Sequence, residues 1–383
     1  MYDGGHHRSF ANLYTRVLAE SGLEVVVLCP FPLEDIPSHL QSRVTQILFS
    51  YDLSTGRGPS FLQAIHLLRS IARIVRKIKG INLVFFMHNI TSTLPGPIID
   101  ICFPFPWSLL EIHPILEERS SHIGFFRRAK ARFFGRKSIS EKYLSSHNLN
   151  FVAFLSETTP EIYKQHYPHL VFACLPDVTH ERAPSKLGRI AAEIQESANG
   201  RKIVTVAGSL DRRKGLYELM YLAMNADPSR FFFAFCGPTH WESFEDSGQL
   251  FRAFRSSSPE NCYFHLEFIS DIGDDNEFDS ILHCSDIIFS AMPGFVHSSN
   301  VVTKAARLRK PVIVTGTGVC GLRAMKYRLG AVIPENDVYC ALQALERLAG
   351  TSHVGAWDDY AKDFSVLRLR QVLVELFEHP ARR

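Results

Sequence analysis

Short runs of β-branched and aromatic residues alternate with amphipathic stretches along almost the whole chain, and this alternation restricts the fold more than any other feature. In the first half the strand-like runs are Glu24 to Cys29, Val44 to Phe49, Asn82 to Met87, Asn150 to Leu155 and Leu170 to Cys174. Helix-period patterns occupy 9–21, 60–79, 122–134, 138–147 and 158–165 around them. The second half has strand-like runs at Lys202 to Ala207, Arg230 to Cys236, Cys262 to His265, Asp286 to Ser290, Pro311 to Val314 and Gly330 to Ile333. Helical patterns at 214–226, 276–283, 299–308 and 337–349 separate these. Strands joined through helices pair in parallel and are covered on both faces, so the expected class is α/β. At 383 residues the chain exceeds the size at which one core stops growing, and two domains are expected.

The alternation lapses near 176–200, where Pro176 and Pro184 open a polar stretch. A boundary there gives expected domains of 1–180 and 181–355. A final amphipathic segment within 356–383 has no strand after it, and either packs on one domain or crosses back to the first. At the other end, Asp3-Gly4-Gly5 signals a loop and a helix runs from Ser9, with no strand ahead of them. A doubly wound domain places a strand in that position. Either this domain lacks it, or Met1 is not the natural start.

Charge and cysteine usage exclude several functions. The 42 basic and 39 acidic residues leave a net charge of +3, too small to imply nucleic-acid binding globally, so no nucleic-acid partner is expected and any electrostatic partner must be read from local clusters. The eight cysteines are scattered, with no metal-ligand spacing, and read as reduced buried thiols. No metal site is expected. No apolar run is long enough to span a bilayer and no signal-peptide pattern is present, so the expectation is a cytoplasmic protein, with room for peripheral membrane attachment.

Two segments carry the chemistry. In the first, a strand ends at Gly208, a basic loop follows with Ser209, Arg212, Arg213 and Lys214, and a helix opens after Gly215. A helix N-terminus offers free N–H groups and the positive end of the dipole, and the basic side chains add full charge, which makes an anion cradle. The competing reading is a solvated basic turn that merely starts a helix. The second segment runs from the strand ending at Ser290 through Gly294 to a helix beginning at Ser299, Asn300 and Val301, then to Lys310-Pro311 and another strand. Ser298, Ser299 and Asn300 are suited to cap that helix, and its N–H groups again suit an anion. Two such termini in one domain suit a diphosphate with its nucleoside.

The spacing from Gly208 and Lys214-Gly215 to Ser299-Asn300-Val301 and Lys310-Pro311 resembles the C-terminal domain of GT-B glycosyltransferases, in particular the large family 4 group. That resemblance implies two Rossmann-like domains facing each other across a cleft, the first on the acceptor side and the second binding the nucleotide-sugar. It implies that Lys214 contacts the donor diphosphate and that the loop entering the Ser299 helix lies against the diphosphate and sugar. It also implies retention of anomeric configuration without a metal or other cofactor. Asp274-Asp275 is followed by Asn276 and reads as a helix start rather than a metal site.

The sequence departs from the family twice. Ser209 stands where a basic residue usually follows the glycine, leaving Arg212 or Arg213 to substitute. Val296 and Lys304 stand where the family carries two glutamates, the second of which binds the ribose; Lys304 is suited to a phosphate instead, or the activity is lost. In the first domain, Gly4, Gly5, His6 and His7 resemble the family's glycine loop at the donor phosphates and acceptor, although an exposed loop explains them equally. His88, just after a strand, is the candidate to orient or deprotonate an acceptor hydroxyl, with a structural role as the alternative. Glu111, His113 and Glu157 are weaker cleft candidates.

Between Gly124 and Lys137, Phe125, Phe126, Ala129, Phe133 and Phe134 fall near one helical face beside Arg127, Arg128, Lys130, Arg136 and Lys137. That pattern fits a helix lying on anionic lipid, or a core helix with a solvated basic side. The leading expectation is a glycosyltransferase that moves a sugar from a nucleotide-sugar to a cell-surface glycan or lipid-linked acceptor. The alternatives are a catalytically degenerate nucleotide- or glycan-binding relative, which the loss of both glutamates favours, and a sugar-nucleotide epimerase.

Overall fold

The computed structural model describes residues 6–34, 36–49, 60–87, 94–112, 114, 142–179, 183–239, 247–257, 259–269 and 277–378. The chain forms two compact units, Met1–Pro176 together with Val366–Arg383, and Asp177–Ser365. Each is an α/β unit built on parallel strands.

The first unit contains α1 (His6–Glu20), β1 (Val25–Cys29), β2 (Val44–Leu48), α2 (Phe61–Val75), β3 (Val84–Phe86), α3 (Gly96–Cys102), β4 (Trp107–Glu111), β5 (Leu149–Phe154), α4 (Thr159–His166) and β6 (Val171–Cys174). β1 and β2 pair in parallel, and β3-β4-β5-β6 form a parallel sheet in that order. The start of α2 is fixed by a capping box: Gln63 N–H donates to Ser60 Oγ, and Ser60 N–H donates to Gln63 Oε1. From there Ala64, Leu67, Leu68, Ile71, Ala72 and Val75 repeat at helical spacing and bury against Phe86, Trp107 and Leu109. β4 is absent from the sequence expectation. All five of its residues are buried, so the polar-out alternation that marks a strand is missing, and Pro104 and Pro106 precede it. α1 begins at His6, which puts His6 and His7 in its first turn rather than in the expected loop.

The second unit contains α5 (Arg189–Ala198), β7 (Lys202–Ala207), α6 (Leu216–Asn225), β8 (Phe231–Cys236), α7 (Ser247–Ser256), β9 (Cys262–His265), α8 (Glu277–Cys284), β10 (Ile287–Ser290), α9 (Asn300–Arg307), β11 (Val312–Thr315), α10 (Gly318–Tyr327), β12 (Gly330–Ile333), α11 (Val338–Gly350) and α12 (Trp357–Asp363). Its six strands are all parallel, in the order β12-β11-β10-β7-β8-β9. Counted within the unit this is 3-2-1-4-5-6 read from β9, the order of a dinucleotide-binding Rossmann fold. The pleat divides β8 between two cores: Phe231, Phe233 and Phe235 enter one, Phe232, Ala234 and Cys236 the other. A sheet buried on both faces needs that run of apolar side chains.

The last segment differs from the single amphipathic stretch expected over 356–383. It breaks after Asp363: α12 belongs to the second unit, while α13 (Val366–Glu378) belongs to the first. There Phe377 packs edge-on against Phe85 and Phe151, with ring centres 6.0 and 5.8 Å apart, and Arg370 pairs with Glu20 of α1. None of the eight cysteines is in a disulfide; Cys29, Cys102, Cys236, Cys284 and Cys320 are buried and the other three half-buried. Burial pushes the Cys284 and Cys320 thiols up to about 11.

Candidate functional site

In an open parallel sheet a ligand site forms beyond the carboxyl ends of the strands, where the strand order reverses direction. In the second unit that point lies between β7 and β10, which pair directly. The two segments that carry chemistry in the sequence are the loops leaving these two strands. The topology therefore brings them together.

The β7 loop is held by glycines that nothing larger replaces. Gly208 has φ +101°, and a Cβ on Gly237 would stand 2.0 Å from the Gly208 carbonyl oxygen. Gly215 has φ +65°, and a Cβ there would stand 2.1 Å from the Ala291 carbonyl oxygen, on the loop leaving β10. Between these glycines lies a short 3-10 turn, Arg212–Lys214, capped by Asp211, which accepts from the Arg213 N–H at 2.8 Å. Asp211 also binds the Arg213 side chain through Nε at 3.0 Å and Nη2 at 2.6 Å. Arg213 is thus committed to its neighbour, and of the Arg212 side chain nothing is described.

Lys214 is different. Its Nζ lies 3.6 Å from where a Gly208 Cβ would stand, so the absent side chain leaves the ammonium room beside the backbone turn. Burial pushes its pKa down; the Asp211 carboxylate opposes this, and Arg213 adds to the lowering. An ammonium held in that way gains from an incoming anion. Glu218, in the first turn of α6, is buried, and burial pushes its carboxyl up against a backbone hydrogen bond that opposes the shift.

The β10 loop is built differently from the sequence expectation. Ser299 occupies the position before α9 but makes no side-chain cap, and its neighbours turn elsewhere. Ser298 Oγ donates to Asp177 Oδ2 at 2.6 Å, and Asn300 Nδ2 donates to Asp177 Oδ1 at 3.3 Å. Val301 is 5% exposed and belongs to the core. The loop is further held by Gly294 N–H donating to Glu335 Oε1 and Val319 N–H donating to Val296 O. Gly318 approaches so closely that a Cβ would stand 2.4 Å from Val296 Cα.

Lys304 does not present its charge to a ligand. It is 5% exposed, paired with Asp279 of α8, and its Nζ lies 5.6 Å from the centre of the Phe278 ring. In the structure its counter-charge comes from the protein: a buried ammonium needs a carboxylate, and Asp279 supplies it.

In the first unit, Glu111 ends β4, is buried, and accepts from Tyr143 OH at 3.5 Å. Glu157 follows β5 and is exposed. Gly4, Gly5, His88, His113 and the basic segment 124–137 lie outside the described residues, as do Asp274 and Asp275. Sequence reasoning missed Asp177, Asp211, Arg323 and Glu335. Only Asp211 left a local signal, an acidic residue just before a basic turn. Among the described residues no cluster of histidine, cysteine and acidic side chains is arranged to hold a metal ion, and no helix is long and apolar enough to cross a membrane.

Two parallel-stranded α/β units, the second with Rossmann strand order and glycine-bound loops at its switch point, have the architecture of the GT-B glycosyltransferases. No protein-family model matches the chain, and no curated protein matches it in sequence. Solved structures do match in fold. WaaG, a glycosyltransferase involved in lipopolysaccharide biosynthesis, is similar over 98% of this chain and 96% of its own, at 15% identity and a TM-score of 0.66. HepE of Anabaena, solved with UDP and glucose, is similar over 98% of both chains at 12% identity and a TM-score of 0.65. Sucrose-phosphate synthase from Thermosynechococcus elongatus is similar over 98% of this chain and 93% of its own, at 16% identity and a TM-score of 0.69. At these identities the likeness is one of fold.

Proposed function

We propose that this chain is a glycosyltransferase that takes a sugar from a nucleotide-sugar donor. The observation that carries the reading is the meeting of two loops at the switch point, with Lys214 beside Gly208 and the Gly215 backbone against Ala291. The diphosphate is assigned to the space between Lys214 and the N-terminus of α9. The likeness over nearly the full length to glycosyltransferases, one of them solved with UDP and glucose, supports the same reading.

Sugar transfer builds negative charge on the departing diphosphate. An ammonium and two helix N-termini, fixed in place before the reaction, stabilise that charge without reorganising. His88 is assigned to the acceptor hydroxyl, which it orients or deprotonates, and Gly4 and Gly5 to the donor phosphates and acceptor. A family 4 enzyme retains the anomeric configuration and uses no metal, and the same is proposed here. The acceptor is a cell-surface glycan or a lipid-linked precursor. A cytoplasmic protein whose segment 124–137 lies on anionic lipid fits the latter.

The buried Lys304–Asp279 pair favours one competing reading, a protein that binds nucleotide but no longer transfers sugar. Thermal shift with UDP, GDP, dTDP and CMP and their sugars tests the proposal, with Lys214→Ala as the control. Stabilisation by one nucleotide that the variant loses is the expected result, and no stabilisation by any of them overturns both readings. Slow hydrolysis of the matching donor in the absence of acceptor separates the enzyme from the binding protein.

A further inference from the structure

Arg323, on α10, is 3% exposed, and its surroundings join three parts of the second unit. Its Nη1 donates to Ser298 Oγ at 2.6 Å, on the loop that leads into α9. It stands 3.9 Å from Asp177 Oδ2, and its guanidinium carbon lies 4.2 Å from the centre of the Phe364 ring. Asp177, itself 2% exposed, also accepts from Ser298 and Asn300, and Asn300 Nδ2 reaches Val178 O at 3.5 Å.

The positions of these partners in the chain matter. Asp177 is the first residue of the second unit, directly after Pro176. Phe364 lies two residues before Val366, where the chain returns to the first unit. One guanidinium therefore meets the first residue of the second unit, a ring next to its last residue, and the start of the donor loop. Removing two charges from water is costly, and a packed apolar cluster would give equal stability without that cost. The pair is better explained by what it fixes. A planar guanidinium donates in a fixed fork while stacking on a ring, which a lysine cannot do.

We propose that Arg323 is a positioning residue for the donor site: it sets the loop Val296 to Ser299 and the N-terminus of α9 in the geometry that receives the diphosphate, and ties that geometry to the two ends of the second unit. The inference rests on the donor-site reading above, and its test separates the two. Two variants are needed. Arg323→Lys keeps the charge and loses the fork and the stacking. Ser298→Ala removes the loop's share and leaves Asp177 and Arg323 facing each other, so it folds even where the first variant does not.

Amide hydrogen exchange without ligand is the first readout. Residues 296–302 and 177–179 should exchange about tenfold faster in the variants, the scale of losing one charge-assisted hydrogen bond, while β7 and β8 keep their protection. UDP affinity by calorimetry is the second, together with kcat and KM for the donor. UDP affinity should fall by about the same factor. Unchanged exchange in that segment, or faster exchange spread evenly over the second unit, overturns the proposal. So does a loosened loop with undiminished UDP affinity. If the unaltered protein responds to none of the four nucleotides, the donor reading falls, and exchange alone decides whether Arg323 holds the loop.

Discussion

The contact between the two loop backbones at the switch point gives the sharpest prediction. Gly215→Ala places a Cβ 2.1 Å from the Ala291 carbonyl oxygen and 3.1 Å from Phe289 Cε1, at φ +65°. The left-handed conformation alone costs a residue with a Cβ about 1–2 kcal/mol. Relieving the contact means moving one loop away from the other, and overpacking of that kind adds about 1–3 kcal/mol. For a unit of this size each kcal/mol lowers the melting temperature by about 2–4 °C, so a drop on the order of 10 °C is expected. Gly200→Ala is the matched control. It has φ +81° and open space around the added carbon, so it carries the conformational cost without the clash. The assay is thermal unfolding of both variants, with UDP titrated into each. Gly215→Ala should lose about two to three times as much stability as Gly200→Ala and should also lose nucleotide binding, because the same shift separates the two loops. Equal melting temperatures with intact binding would refute the claim that these loops are packed to contact at the switch point.

Three further outcomes follow from the site. Breaking the buried pair with Lys304→Met takes the ammonium away from the buried Asp279 and should cost about 3–5 kcal/mol, whereas Lys304→Met with Asp279→Leu should recover most of it; urea unfolding of the single and double variants checks this. Lys214→Met should abolish nucleotide stabilisation while leaving the melting temperature at neutral pH no lower than before. The sign follows from the lowered pKa of Lys214: between the folded and unfolded values the unfolded chain binds more protons, so stability rises with pH there and the burial cost is fully present below that window. For the same reason, nucleotide affinity should decline with rising pH at values below those at which an ordinary lysine deprotonates, as a pH series of binding isotherms will show.

The parts of this fold legible in the sequence are those whose cause is local. β7 is a β-branched run stopped by Gly208, α6 starts at a Lys-Gly pair, and β8 is a run of phenylalanines; each announces itself in a window of ten residues. β4 does not, because a central strand buried on both faces loses its alternation. α10 was hidden too, since Gly318 and Gly321 sit inside it and glycine weakens a helical pattern. At the site, the loops were readable but their anchors were not. Asp177 follows Pro176 in a stretch that reads as a solvated boundary, yet it is buried by Ser298, Asn300 and Arg323, which lie more than a hundred residues further along the chain. The Ser298-Ser299-Asn300 triplet has the composition of a helix cap, and only the presence of that distant carboxylate redirects it. Lys304 was legible as a departure from a family pattern, but its partner Asp279 comes from another helix and removes it from the surface.

The division of the chain also has a consequence for how the protein is made. The second unit is one continuous stretch, Asp177–Ser365, while the first is completed only by α13, whose Phe377 covers Phe85 and Phe151. On the ribosome the first sheet is synthesised early and waits, with those rings uncovered, until the whole second unit has emerged. Folding therefore finishes in the reverse of the order of synthesis. The interval is the time during which a chaperone has something to hold, and a chain stopped before α13 carries that uncovered face permanently.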